Sequence, residues 1–143
     1  MTSERKAALV AGASIGLLLI LVDALALRLI GAAAAGVLLI RIWEPASGKA
    51  IPLTEGARMG IVTGLVVGVT RQFVLLVLVA IGALFEPGPS LMQPPADAVI
   101  HAFEQDWGIN YYTFNILFDI FGGAAVAGLG AVLGVRLYEQ EDA

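Results

Sequence analysis

Gly64 to Phe85 reads GLVVGVTRQFVLLVLVAIGALF. The run has no proline and no acidic residue, and its polar members Thr70, Arg71 and Gln72 sit together near the middle. Its length and apolar character are those of a membrane-crossing helix, for which about 20 residues suffice. An arginine inside such a helix needs a partner or water, because a bare charge in hydrocarbon is costly.

The rest of the chain is of the same kind. Of 143 residues, 59% are hydrophobic and 14% charged, where a soluble domain carries about 25% charged residues. Mean hydropathy is +0.89. So little polar surface does not cover a water-facing globule, and the lipid bilayer is the matching solvent. The net charge of -4 says little, since the charges gather at segment ends. No basic arm, RNP-like motif or finger motif points to nucleic acid. Cysteine is absent, which excludes disulfides, thiolate metal sites and a cysteine nucleophile.

Four apolar segments follow: Lys6 to Val22, Leu27 to Trp43, Ala57 to Phe85 and Thr113 to Tyr138. The first two are close to the spanning limit of about 17 residues. A short internal repeat argues that they are separate helices. VLLIRIWE (Val37 to Glu44) matches VLGVRLYE (Val132 to Glu139), pairing Arg41 with Arg136 and Trp43 with Tyr138. KAALVAGASIG (Lys6 to Gly16) matches RMGIVTGLVVG (Arg58 to Gly68), pairing Gly12 with Gly64 and Gly16 with Gly68. The expected fold is therefore all-α and polytopic, a single membrane domain over residues 1-143 with four transmembrane helices as two repeated hairpins. The hairpins cover 6-43 and 57-138, joined by a loop over 44-56, with an outer loop over 86-112. The basic start (Arg5, Lys6) and Ala24-Leu25-Ala26 have the layout of an export leader, but the repeat favours a retained first helix.

Arg5, Lys6, Arg41, Lys49, Arg58 and Arg136 fall at ends assigned to one side, and residues 86-112 contain no Lys or Arg. By the positive-inside rule both termini and the middle loop are cytoplasmic. Trp43, Tyr138, Trp107, Tyr111 and Tyr112 lie at segment ends, as an interfacial aromatic belt requires. In the middle loop Pro45, Ser47, Gly48 and Pro52 are expected to break helix, with Thr54 as an N-cap and Glu55 in the first turn. In the outer loop, Pro95 suits a first helical position, and Ala96, Val99, Ile100, Phe103 and Trp107 recur at helical spacing. This is a short amphipathic helix, lying at the outer interface or packed across the mouth of the bundle.

Glycines mark the packing surfaces. Gly60, Gly64 and Gly68 form a GxxxGxxxG ridge, a glycine zipper. Gly12 and Gly16 repeat its spacing, and the fourth segment offers Gly123, Ala127 and Ala131 with Gly130 and Gly134. Small residues let helix backbones approach where lipid supplies no hydrophobic drive. Close packing, within the chain or between protomers, is the plain reading, and a gliding surface in a transporter is the functional one. His101 stands alone between Asp97 and Glu104, which reads as a solvated polar face rather than a metal site. It is also the only histidine available to haem or chlorophyll. The sequence contains no HExxH or P-loop motif and no dinucleotide-binding glycine pattern in a βαβ context. Neither an enzyme activity nor a cofactor is expected.

Four ionisable residues lie inside the spans. Arg71 is about 20 Å along a helix from Arg58, and Asp119 about 25 Å from Arg136. Asp23 is about 25 Å from Lys6, and Arg28 about 20 Å from Arg41. Two acids and two bases thus share one depth, in the outer half of the membrane. The expected pairs are Arg71 with Asp119, and Asp23 with Arg28 or Arg71, with Asn115 adding a hydrogen bond to Asp119. A structural ion cluster leads a solute or proton pathway, and Asp23 and Arg28 snorkelling from the first turn comes third.

SGKAIPLTEGARMGIVTGLVVG (Ser47 to Gly68) resembles the central region of an uncharacterised class of small, glycine-rich bacterial four-helix membrane proteins. Shared features are a short polar loop with SG and PLT-like residues, a Glu-Gly-Ala turn and a glycine-ridged third helix. The likeness spans the central third of the chain, and Arg71 departs from the apolar run usual there. It implies a bacterial inner (cytoplasmic) membrane and carries over no activity or site residue. The expected role is a non-catalytic structural or accessory subunit, with the bilayer, itself or a larger membrane complex as partner. A small channel or transporter, with a polar path near Arg71 and Asp119, is the alternative.

Overall fold

The computed structural model describes residues 2-21, 25-48, 50-82 and 97-141. Its elements are helices throughout, with no strand among the described residues. They are α1 (Ser3–Leu18), extended by a 3-10 turn (Leu19–Leu21), α2 (Leu25–Ser47), α3 (Leu53–Gly82), α4 (Asp97–Trp107), α5 (Tyr111–Leu117) and α6 (Gly123–Glu141). A π turn (Phe118–Gly122) joins α5 to α6.

Three helices are long and apolar enough to cross a membrane: Ala26–Ser47, Leu53–Ile81 and Tyr111–Glu139. That is the mark of an integral membrane protein. α1, at 16 residues, is shorter than the expected segment Lys6 to Val22 because its last turn tightens at Leu19.

Helix boundaries follow local chemistry, with departures from expectation in the middle loop. Pro45 lies inside the last turn of α2 rather than ending it. The helix stops instead at Gly48, whose φ of 63° needs no Cβ and whose N–H donates to the Glu44 carbonyl at 3.1 Å. Thr54 is not an N-cap. α3 begins one residue earlier, and its first intrahelical bond runs from Gly56 N–H to the Pro52 carbonyl. At the far end α4 stops at Gly108, also at φ 63°. Asn110 then caps α5, its Oδ1 accepting from the backbone N–H groups of Tyr112 and Thr113. Pro95 and Ala96 lie outside the described residues, as do Asp23 and Lys49.

The packing is intimate because the facing residues are small. Ala7, Ala8, Ala11, Ala127 and Ala131 are buried, and the largest fully buried side chains are only Leu39, Ile40, Val135 and Thr63. α1 lies antiparallel to α2: Leu19 meets Gly31, while Ala7, Ala8 and Ala11 share a cluster with Leu39, Ile40 and Trp43. α3 lies antiparallel to α6, with Gly56 facing Val135, Gly60 facing Ala131, Gly64 facing Ala124 and Gly68 facing Ile120. Across these pairs the helices run parallel. Gly12 meets Thr63 and Val66, and Gly16 meets Val67 and Thr70, which sets α1 beside α3. Gly130 meets Ala33 and Gly134 meets Val37, which sets α2 beside α6. Large apolar side chains such as Leu76, Leu129 and Leu133 point outward, as a lipid-facing surface requires.

α4 rests on α5. Glu104 accepts from Asn110 Nδ2 at 2.8 Å and from Tyr111 N–H at 3.4 Å, and the rings of Trp107 and Phe114 lie 6.4 Å apart. His101, Ala102, Gln105 and Asp106 are exposed.

Candidate functional site

Asp119 is the second residue of the π turn, and both its backbone and its carboxylate are contact points. Gly68 of α3 faces the Asp119 carbonyl, and an added Cβ there would come within 2.6 Å of it. That close approach brings the next turn of α3 within reach of the carboxylate. Arg71 Nη1 and Gln72 Nε2 both donate to Asp119 Oδ2, the latter at 2.6 Å. From α2, Arg28 Nη1 donates to Asp119 Oδ1 at 2.8 Å. One carboxylate thus accepts from two helices other than its own.

The arginines also make contacts beyond Asp119. Arg71 Nε donates to the Leu19 carbonyl at 3.1 Å. Leu19 belongs to the tight turn that ends α1, where carbonyls lack helical partners, so the guanidinium caps that helix. Arg28 Nη2 donates to Asn115 Oδ1 at 3.2 Å, and Asn115 Nδ2 in turn donates to the Tyr111 carbonyl. Arg28, Arg71 and Asp119 are all buried. In this setting charge-assisted hydrogen bonds are the strong kind, and they join α1, α2, α3 and the π turn at one level.

The structure therefore brings together Arg28, Arg71 and Asp119 of the four ionisable residues, while Asp23 lies outside the described residues. Arg28 reaches Asp119, a pairing not foreseen, because α2 runs parallel to α6 and presents its first turn beside the π turn. Asn115 bonds Arg28 rather than Asp119. Gln72 was missed as a ligand of the carboxylate, although its place beside Arg71 in an apolar run signalled it. The Leu19 carbonyl had no signal, since it is exposed only by the tightening of α1.

The void bordering the cluster is about 10 Å³, lined by Leu19, Arg28, Val67, Arg71, Phe118 and Asp119 among others. That is the lower limit for one water molecule. Among the described residues no group of three or more His, Cys, Asp or Glu is gathered as a metal site requires. His101 is exposed on α4, and neighbouring Glu104 is engaged with Asn110 and Tyr111.

The predicted packing glycines take distinct places. Gly12 and Gly16 abut α3, Gly60, Gly64 and Gly68 abut α6 and the π turn, and Gly130 and Gly134 abut α2. Gly123 is buried but has slack: an added Cβ would find its nearest neighbour at 3.8 Å. Gly36 was not foreseen. A Cβ there would collide with the backbone of Ala127 and Ala131.

No protein-family model, curated protein or solved structure matches this chain.

Proposed function

We propose that the chain is a non-catalytic structural or accessory subunit of a membrane assembly, packing with itself or with a larger complex. The observation that supports this best is the closed cluster at Asp119. Its carboxylate accepts from Arg28, Arg71 and Gln72, and the adjoining void of about 10 Å³ leaves no room for a solute. Polar groups form a band at one depth, where a conducting path needs a stripe along the membrane normal. Such a band pins helices.

In this reading α1 and the turn after it form a fourth span, and the two repeated hairpins lie side by side. α1 packs parallel to α3 and α2 parallel to α6, so the hairpins match helix for helix in direction. Both termini face the cytoplasm of a bacterial inner membrane, and α4 lies at the opposite interface. The likeness of Ser47 to Gly68 to small four-helix membrane proteins belongs to the same proposal. Exposed Leu76, Val77, Leu78, Val79 and Ile81 leave the end of α3 apolar all round, surface for lipid and a partner helix to cover.

The test is purification of the tagged chain from its native membrane in mild detergent. A stoichiometric partner or a defined homo-oligomer is the expected result, and a monomer running alone would overturn the subunit reading. A channel or transporter is the second reading, favoured by the π turn at Asp119, since such turns recur at functional sites. Solute flux in liposomes that Asp119→Asn abolishes would put it ahead.

A further inference from the structure

A second cavity, of about 590 Å³, opens between the N-terminal halves of α1 and α3. The two helices touch through Gly12 and Gly16, and the space lies on the N-terminal side of those contacts. Trp43 of α2, itself buried, lines it, and Leu9, Met59, Val62 and Val66 supply apolar walls. Four charges also line it: Glu4 and Arg5 from α1, Glu55 and Arg58 from α3. All four sit in or next to the first turns of their helices, so the groove is charged at one end and apolar along its length. No ion pair within 4.0 Å joins these four to one another.

We infer that this groove holds one glycerophospholipid with a zwitterionic, primary-amine headgroup, drawn from the leaflet at the basic ends of the helices. Length is the first argument. From Glu55 to Val66 the helical rise is about 16 Å, and the hydrocarbon of one leaflet is about 15 Å thick. An acyl chain lying along Val62 and Val66 therefore ends where the groove does. Size is the second: the cavity is too small for a whole phospholipid but takes the headgroup and one acyl chain, with the second chain left in the bilayer. Charge is the third and selects the headgroup. The guanidinium groups of Arg5 and Arg58 match a phosphodiester. The carboxylates of Glu4 and Glu55 match an ammonium and oppose an additional anion. A quaternary amine has no N–H to give those carboxylates, so phosphoethanolamine fits better than phosphocholine. A soluble phosphate ester would leave the apolar walls wet.

The test is native mass spectrometry of the intact chain after equilibration in micelles containing equal amounts of phosphatidylethanolamine, phosphatidylglycerol and phosphatidylcholine. One phosphatidylethanolamine per chain is expected, retained about fivefold over either competitor, a ratio at the upper end for one solvent-exposed ion pair. Glu55→Gln should erase the preference over phosphatidylglycerol, and Arg58→Gln should weaken retention of all three lipids. Val62 is 39% exposed, so Val62→Trp places a ring across the acyl path between Met59 and Val66 without entering the glycine contacts. That variant should lose the lipid while keeping its helical circular dichroism and melting point. Equal retention of the three lipids by the unmodified chain would overturn the inference. So would retention unchanged by Val62→Trp in a folded variant. A lipid-free dimer that Val62→Trp dissociates would assign the groove to a second copy instead.

Discussion

Asp119 accepts what three other side chains give, so its loss and theirs are not equivalent. Asp119→Leu removes the shared acceptor from two buried guanidinium groups. Breaking a buried ion pair from one side costs about 3 to 5 kcal/mol, and a loss of that size is expected in detergent unfolding. Gln72→Leu removes one hydrogen bond from a carboxylate that keeps both arginines, and about 1 kcal/mol is expected. Arg71→Leu should fall between the two. The double variant Arg71→Leu with Asp119→Leu should recover part of the summed loss, because the two vacancies then coincide. Strictly additive losses in a melting cycle would contradict the pairing. The meeting of Arg71 and Asp119 was legible from depth alone, since helical rise fixes depth. The choice of Arg28 by Asp119, and of Arg28 by Asn115, was not. It depends on how each helix is rotated about its own axis, and an apolar chain surrounded by lipid gives no strong sidedness to read.

Glycine spacing sets how close the helices come, and the structure separates glycines that are needed from those that are merely present. Gly36 faces the backbone of α6, whose atoms do not yield as a flexible side chain does. Gly36→Ala should therefore destabilise by about 1 to 3 kcal/mol through overpacking. Gly123→Ala has room and should be neutral or stabilising by up to about 1 kcal/mol, since alanine is the better helix former. Thermal unfolding of the two variants side by side checks the contrast, and equal effects would mean that the ridges reflect composition alone. The xxx-spaced ridges on the first and third segments were readable. Gly36 was not, because its significance lies in the parallel register of α2 against α6. The π turn was equally hidden: residues 118-122 continue the helical pattern of their neighbours, and only the packing of Gly68 against Asp119 marks the place.

At the level of the molecule, hydropathy gave the helical class and the long spans, because a backbone in lipid has few alternatives to helix. The facing ends of α2 and α3 were misjudged by a few residues, since the last turn of α2 runs on through Pro45 until the Gly48 N–H closes on the Glu44 carbonyl. The proposed sidedness rests on the basic residues and is open to direct check. Ala50→Cys should be protected from an impermeant thiol reagent on intact cells and Gln105→Cys labelled, and the reverse pattern would invert the orientation. The native chain has no cysteine, so each introduced thiol is the only one. The same property allows the most direct test of whether the Asp119 cluster is a sealed clasp or part of a passage. Gly123 borders the small void beside Asp119 and has space for a Cβ. Gly123→Cys is therefore to be exposed to a small water-soluble methanethiosulfonate in native membranes, applied from each side. A clasp closed to water leaves the thiol unmodified from both sides until the protein is unfolded. Modification in the folded protein at the rate of the exposed Ala50→Cys control would contradict the clasp and open a water path to Asp119.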